Sequence, residues 1–233
     1  MNRRNFIARL GDTAESPLAA RGRAFKSRTC GSKRGKRFPS HLPYEPPAND
    51  RGRMARIRTL DRAELNDEQG RVYDTAKAKY GVGGPYIPYI RVPKLFEAAH
   101  HMREVVTSGP LTKRELQLTN LVITRHHGTR YAWSAWARHA RAAGIDEATI
   151  ETINAGKLPE VTDARERMCL IVVKELLGTW RLSDATYQAA EKALGLEFLI
   201  GLVANVGSLS MTCLTLNVFE IDPLADDPTP LKT

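Results

Sequence analysis

The sequence predicts an all-α fold, and three observations carry that prediction. From residue 62 onwards, apolar residues recur every three or four positions, as they do along one face of an α-helix. No stretch alternates between apolar and polar residues in the way of a half-buried β-strand. Hydrophobic residues make up 42% and charged residues 26% of the 233 positions, a balance that excludes a fibrous or an entirely disordered chain.

Local spacings indicate where the individual helices begin and end. Thr112 and Glu115 are spaced as a capping box, which predicts a helix running to about His127. Asp163 and Glu166 predict a second capping box ahead of an apolar run. The other predicted segments are helices at 68–80, 94–107, 129–143, 146–155, 183–195 and 196–219, and an irregular proline-rich stretch at 85–93.

The last predicted helix, Leu196–Phe219, has no charged residue between Glu197 and Glu220, so its length and composition raise the question of a membrane span. Polar side chains and two glycines within it argue against insertion, namely Asn205, Ser208, Ser210, Thr212, Thr215, Asn217, Gly201 and Gly207. We therefore expect a central core helix or a subunit contact, and no membrane association.

The net charge of +9 belongs entirely to the N-terminal part of the chain. Residues 1–53 contain 13 Lys and Arg residues against four acidic ones, so residues 54–233 are neutral overall. Glycines and prolines interrupt the basic stretch, which has little apolar periodicity and is predicted to be disordered. We divide the chain into this extension at 1–53, a helical domain at 54–222 and a C-terminal tail at 223–233.

Several functions for the extension stay open, beside the alternative that it is a non-structural extension with none of them. Arg3 and Arg4 resemble the start of a twin-arginine export signal, but no apolar segment follows them. A transit peptide fits in part, and the basic run Lys33–Arg37 could neutralise nucleic-acid phosphates or act as a localisation signal. We favour an extension without such a role and do not expect a nucleic-acid partner. Translation starting at Met54 is a hypothesis that an intact mass would test.

Cys30, Cys169 and Cys213 lie far apart in the sequence. Their spacing excludes a C-x-x-C pair, a zinc ribbon and a dense disulfide framework, and it favours a reducing, cytoplasmic compartment. Cys169 and Cys213 each lie in an apolar predicted helix, where a buried and unreactive thiol is expected. We predict no metal site.

Several segments, in order along residues 54–222, resemble carboxymuconolactone decarboxylase and the related alkylhydroperoxidase D proteins. The segments are LTKREL at 111–116, RHHGTRYAW at 125–133, AAGIDEATIETINAGK at 142–157, LL at 176–177, RLSDATY at 181–187 and MTCLTLNVFE at 211–220. The resemblance implies a compact helical bundle that assembles as a homo-oligomer, a trimer, a hexamer or a similar ring.

The two branches of this family imply different chemistry. The peroxidase branch uses a C-x-x-C pair and a histidine, but Thr129, Ala132 and Trp136 stand at those positions, so we reject thiol peroxidase activity by that mechanism. The decarboxylase branch acts without a cofactor on a small carboxylated lactone, and many members carry Glu-Trp followed by a histidine. Here Trp133 remains, whereas Ala132 and Trp136 replace both proton-carrying groups.

Neighbouring residues are the candidates to replace the missing acid and base. His139 lies two turns beyond Ala132 on nearly the same helix face, and His126 matches a histidine that the resembled family often carries. The candidate catalytic residues are His126, His139 and Glu115. The candidate substrate-binding residues are Arg125, Arg130, Trp133, Trp136 and His127, of which the arginines would pair with a carboxylate.

Each candidate also has a structural alternative. Glu115 is explained by its capping box, the histidines by hydrogen bonds at helix ends, and the tryptophans by packing in a core. His100 and His101 are expected to be solvated on a surface helix. Two functions therefore compete: a cofactor-free decarboxylase or lactone-processing enzyme for a small carboxylated metabolite, and an oligomeric binding or structural protein that has kept the fold and lost the chemistry.

Overall fold

The computed structural model describes residues 55–79, 82–223 and 228–232, and in these residues it contains α-helices and no β-strand. The predicted all-α class is confirmed. The helices are α1 (Asp67–Lys79), α2 (Tyr86–Tyr89), α3 (Pro93–Thr107), α4 (Lys113–His126), α5 (Arg130–Ala142), α6 (Glu147–Asn154), α7 (Ala164–Thr179), α8 (Asp184–Leu194) and α9 (Leu196–Val218). A single 3-10 turn at Arg62–Glu64 precedes them. The extension at 1–53 and its predicted functions lie outside the described residues.

The N-caps of the helices follow the sequence closely. The Glu115 amide donates to the Thr112 hydroxyl at 3.2 Å and the Thr112 amide donates to the Glu115 carboxylate at 2.8 Å, so the first predicted capping box is confirmed. The second predicted capping box forms only one of its two hydrogen bonds, so that prediction was wrong in part. Asp163 accepts from the Glu166 amide at 2.9 Å, but the Glu166 carboxylate instead pairs with Arg114 of α4 at 2.8 Å.

The proline-rich stretch at 85–93 is more regular than predicted. It contains α2, a single helical turn, and α3 begins within it at Pro93. Proline suits these positions because the first amides of a helix have no partner inside the helix, and because its ring already holds φ near the helical value. Pro85, the residue before α2, has φ −64°. The prediction of an irregular segment was wrong because the prolines lie at helix starts.

Helix α4 lies at the centre of the bundle, where it packs against α5, α6, α7 and α9. Helix α9 is long and apolar enough to cross a membrane by length and composition, yet one side of it packs against α3, α4, α7 and α8. The predicted core helix is therefore observed. The other side of α9 is an exposed apolar stripe, which we call the α9 stripe, made of Leu196, Ile200, Val203, Met211, Leu214 and Val218.

The last described residues, 228–232, pack onto α5 and α6. The Trp133 indole N–H donates to the carbonyl oxygen of Thr229 at 2.8 Å. The Asn154 amide donates to the carbonyl of Pro230 at 3.0 Å and accepts from the backbone N–H of Lys232 at 2.9 Å. Both Trp133 and Asn154 are fully buried. This C-terminal segment is thus part of the packed structure.

Candidate functional site

A cavity of about 110 Å³ lies between α2, α3, α4, α5 and α9; we call it the central cavity. Helix α5 supplies Tyr131, Ala132, Ala135, Trp136 and His139 to its wall. Four of these, Ala132, Ala135, Trp136 and His139, occupy positions i, i+3, i+4 and i+7, and this spacing places them on one helix face. The positions at which the resembled family carries its proton-transfer groups, 132 and 136, therefore line this cavity.

The remaining α5 candidate, Trp133, points away from the cavity. It is fully buried and packs with α4 and α6, and its indole N–H donates to the carbonyl oxygen of Thr229. The sequence left open whether Trp133 lines a pocket or packs in a core, and its observed surroundings are those of the core.

The guanidinium of Arg103 lies in the cavity wall next to aromatic side chains. Arg103 of α3 donates from Nη1 to the Tyr86 hydroxyl at 3.3 Å, and its guanidinium carbon lies 5.6 Å from the centre of the Trp136 ring. The Tyr86 hydroxyl is also 3.2 Å from Nδ1 of His100. His100 is therefore buried, not solvated as predicted, because Tyr86 and Phe96 cover its ring.

Two asparagines form the inner end of the cavity. The Asn205 side chain of α9 donates to the Asn120 side-chain oxygen at 3.0 Å and to the Thr119 hydroxyl at 3.3 Å. Asn120 is 1% exposed, and its own side-chain NH₂ has no hydrogen-bond partner among the described residues. A buried donor left without a partner costs about 1–3 kcal/mol, so this amide is suited to an acceptor atom held in the cavity.

The environment of the cavity sets the protonation of its titratable groups. Partial desolvation and, after it, the neighbouring Arg103 lower the pKa of His139. The imidazole is therefore neutral at neutral pH and can accept a proton. Burial raises the pKa of Tyr86 and of Tyr131, which keeps both phenols protonated.

A second concave site of about 240 Å³ lies between α4, α6 and α7; we call it the basic pocket. Arg125 and His126 line it together with Lys157 and Lys174, and its apolar part is formed by Val122, Ile153 and Leu158. The structure therefore divides the predicted site residues. Trp136 and His139 belong to the central cavity, and Arg125 and His126 belong to the basic pocket.

Three further predicted site residues line neither of these two sites. Glu115 is 3% exposed, and besides the hydrogen bonds of its capping box its carboxylate forms an ion pair with Arg165 at 3.0 Å. His127 lies 2.9 Å from the Ser210 hydroxyl through Nε2, and burial followed by the proximity of His126 lowers its pKa to about 4. Arg130 is the first residue of α5.

Sequence reasoning missed the polar residues of α3, α4 and α9. Arg103, Asn120 and Asn205 were not named as site residues, although all three line the central cavity. A usable signal existed for Asn205, which interrupts the apolar run 202–206 of a helix predicted to lie in the core, but Asn120 follows Thr119 and Gln117 in α4 and gave none. Arg103 gave none, because the sequence around it is that of an ordinary charged surface helix.

The predicted state of the two described cysteines is confirmed. Cys169 and Cys213 are buried, and desolvation raises the pKa of each thiol to about 12. Neither thiolate forms at neutral pH, and a thiolate is the reactive form of cysteine. Cys30 lies outside the described residues.

The chain is similar to solved structures of peroxidase-related proteins. It matches the alkylhydroperoxidase AhpD core of an uncharacterized peroxidase-related protein from Ralstonia eutropha with a TM-score of 0.62 and 16% identity, over 74% of this chain and 93% of that one. It matches an uncharacterized peroxidase-related protein from Silicibacter sp. with a TM-score of 0.62 and 18% identity, over 82% and 99%.

A third structure is a protein of unknown function from Agrobacterium tumefaciens, with a TM-score of 0.55 and 16% identity over 59% of this chain and 96% of that one. No family model and no curated protein matches the sequence. At these identities the likeness establishes the fold. The chain has the AhpD-like helical fold, as the resemblance in its sequence predicted.

Proposed function

We propose that this protein is a cofactor-free enzyme of the carboxymuconolactone decarboxylase type, which binds a small carboxylated metabolite in the central cavity. One observation carries the proposal. A guanidinium, a neutral imidazole and an unsatisfied buried amide, from Arg103, His139 and Asn120, line the same cavity. These are a carboxylate binder, a proton acceptor and a hydrogen-bond donor.

The walls of the cavity suit a small organic acid. Arg103 offers paired N–H donors to a carboxylate, and the Asn120 amide offers a donor to a carbonyl oxygen. Between them, Val106, Leu209 and Leu216 provide apolar surface. At about 110 Å³ the central cavity is smaller than the cavity of about 150 Å³ that admits benzene, so it suits a ligand no larger than one small ring or a short chain.

The chemistry follows from the neutral state of His139. Its imidazole accepts a proton from a carbon next to a carbonyl, and the electron pair moves onto the carbonyl oxygen to give an enolate. Arg103 and Asn120 stabilise that negative charge. Where a carbon–carbon double bond is conjugated with this enolate, the negative charge extends onto a second carbon. The imidazolium returns the proton to that carbon and the double bond shifts, which isomerises an unsaturated lactone without an external co-reactant.

The experiment is an assay of the full chain with a panel of carboxylated lactones, beside calorimetric titration with benzoate as a simple carboxylate probe. We expect benzoate to bind and at least one lactone to be isomerised or decarboxylated. His139→Gln keeps a hydrogen-bonding side chain but no base, so it retains benzoate binding and lowers turnover about 100-fold or more. Equal turnover in His139→Gln would contradict the role of this residue.

A second candidate function rests on Ala132 and Trp136. A methyl group and an indole occupy the two cavity positions where the resembled family carries an acid and a base, which favours a binding protein without turnover. If the natural sequence binds benzoate but converts no lactone, and the double substitution Ala132→Glu/Trp136→His becomes active, this second function is correct. If benzoate does not bind, both functions fail.

We also propose that the protein forms a homo-oligomer through the α9 stripe. Leu196, Ile200, Leu214 and Val218 are each more than half exposed, and the stripe extends along the whole of a 23-residue helix. An apolar surface of that extent is unusual on a monomer. Ile200→Glu/Leu214→Glu should reduce the solution mass to that of one chain, measured by light scattering, whereas Lys192→Glu in α8 should leave it unchanged.

A further inference from the structure

The basic pocket is a separate concave site on the side of α4 formed with α6 and α7. It combines a charged rim with an apolar floor. Arg125, Lys157 and Lys174 bring positive charge to it from three different parts of the chain, and Val122, Ile153 and Leu158 form the floor. No carboxylate is among its lining residues.

The three cations of the pocket are not neutralised by the fold. None of Arg125, Lys157 and Lys174 forms an ion pair with another residue in the described part of the chain. Three like charges around one concavity repel each other, and the repulsion is relieved when an anion enters. The arrangement therefore favours a ligand with more than one negative charge.

A structural explanation accounts for one of the three cations. The Nε of Arg125 donates to the carbonyl oxygen of Asn154 at 2.7 Å, so Arg125 satisfies the C-terminal end of α6. The guanidinium nitrogens beyond Nε stay close to the pocket, since Nη2 lies 3.7 Å from the position that a Cβ on Gly156 would take. Lys174 is far from either end of α7 and completes no helix terminus.

We propose that the basic pocket binds a small organic phosphate, with the phosphate group between Arg125, Lys157 and Lys174 and an apolar group against the floor. A phosphate monoester carries nearly two negative charges at neutral pH and presents three acceptor oxygens. A carboxylate of the same size would neutralise only one of the three cations. The apolar floor predicts that an ester binds more tightly than inorganic phosphate does.

The test is calorimetric titration of the full chain with phenyl phosphate, inorganic phosphate and benzoate. In the natural sequence, phenyl phosphate should bind at least about fivefold more tightly than inorganic phosphate, because only the ester buries apolar surface. Lys174→Met should weaken the binding of phenyl phosphate about fivefold, and the double substitution Lys157→Met/Lys174→Met should weaken it about 20-fold. Each substitution removes one charge-assisted contact. Binding should also weaken as salt is raised.

The matched control is Arg103→Met, which removes a cation from the central cavity and leaves the basic pocket intact. Phenyl phosphate affinity should be the same in this variant as in the natural sequence. Absence of phenyl phosphate binding, or an equal loss in Arg103→Met, would overturn the proposal. Lactone turnover, and the part of benzoate binding that Arg103→Met removes, report on the central cavity, so failure of the proposed enzyme function leaves a different pattern of results.

Discussion

The central cavity and the basic pocket differ in how their polar groups are held. In the cavity, Arg103 is fixed by the Tyr86 hydroxyl and Asn120 by the amide of Asn205. In the basic pocket, Lys157 and Lys174 are exposed side chains on the surface of the fold. Fixed donors select for the shape of a ligand, whereas mobile lysines select mainly for its charge.

Two further hydrogen bonds join distant parts of the fold, and their residues line neither site. His127 joins the end of α4 to Ser210 of α9. Trp133 joins α5 to the C-terminal segment, which is also held by Asn154. Substitutions at the two sites test whether the sites are independent, and substitutions at these two hydrogen bonds test what holds the surrounding helices.

The largest expected effect on ligand binding is that of Arg103→Met in the central cavity. Loss of the partly desolvated guanidinium should weaken the binding of benzoate about 10- to 100-fold. The reason is that a hydrogen bond to a charged group contributes about 1.5–3 kcal/mol. Calorimetric titration measures the change. Lys174→Met is the control, and it should leave benzoate affinity unchanged; a loss in both variants would show that the two sites are not independent.

The next largest effect concerns His127 and the pH dependence of stability. Burial holds its folded pKa at about 4, below the value of about 6.5 in an unfolded chain. As pH falls from about 6.5 to 4, the unfolded chain binds a proton here before the folded one does, so the free energy of unfolding decreases.

In His127→Gln this contribution is absent. The decrease in unfolding free energy between pH 6.5 and 4, measured by urea titration, should be about 2 kcal/mol smaller than in the natural sequence. Parallel curves for the natural sequence and His127→Gln would show that His127 titrates normally.

A smaller effect is expected when the hydrogen bond between Trp133 and the C-terminal segment is removed. Trp133→Phe leaves the Thr229 carbonyl without its indole donor and should lower the free energy of unfolding by about 1–2 kcal/mol. Urea titration checks the value. Trp136→Phe on the same helix is the control, because Trp136 is only partly buried, and it should cost less than about 0.5 kcal/mol.

The smallest effect is that of Lys174→Met on stability. The side chain is exposed and repelled by the other cations of the basic pocket, so its removal should change the free energy of unfolding by less than about 0.5 kcal/mol. A larger destabilisation in urea would mean that Lys174 has a structural role, which would argue against a pocket kept charged for a ligand.

Much of the fold could be predicted from the sequence because helix caps are local. Thr112 and its partner Glu115 are three residues apart, and their reciprocal hydrogen bonds depend on little beyond that spacing. Glu166 shows the limit of such reasoning. It has the right spacing, but an arginine from α4, 52 residues away, binds its carboxylate instead.

The site was predictable only in part, for the same reason. The face of α5 that carries Ala132, Trp136 and His139 follows from helical periodicity, and these positions do line the central cavity. Arg103 and Asn205 reach that cavity from α3 and α9, and no spacing along the chain relates them to α5. Arg125 and His126 are close to α5 in sequence, yet the turn at Gly128 leaves them at a different site.

The packing of the C-terminal segment has a consequence for synthesis on the ribosome. The indole of Trp133 and its acceptor are 96 positions apart, so α5 emerges long before residue 229 has been translated. Until then the indole N–H and the amide of Asn154 lack these protein partners and bind water, and a nascent chain exposes the surface that residues 228–232 later cover. This part of the fold is therefore completed late, only after residues 228–232 have left the ribosome.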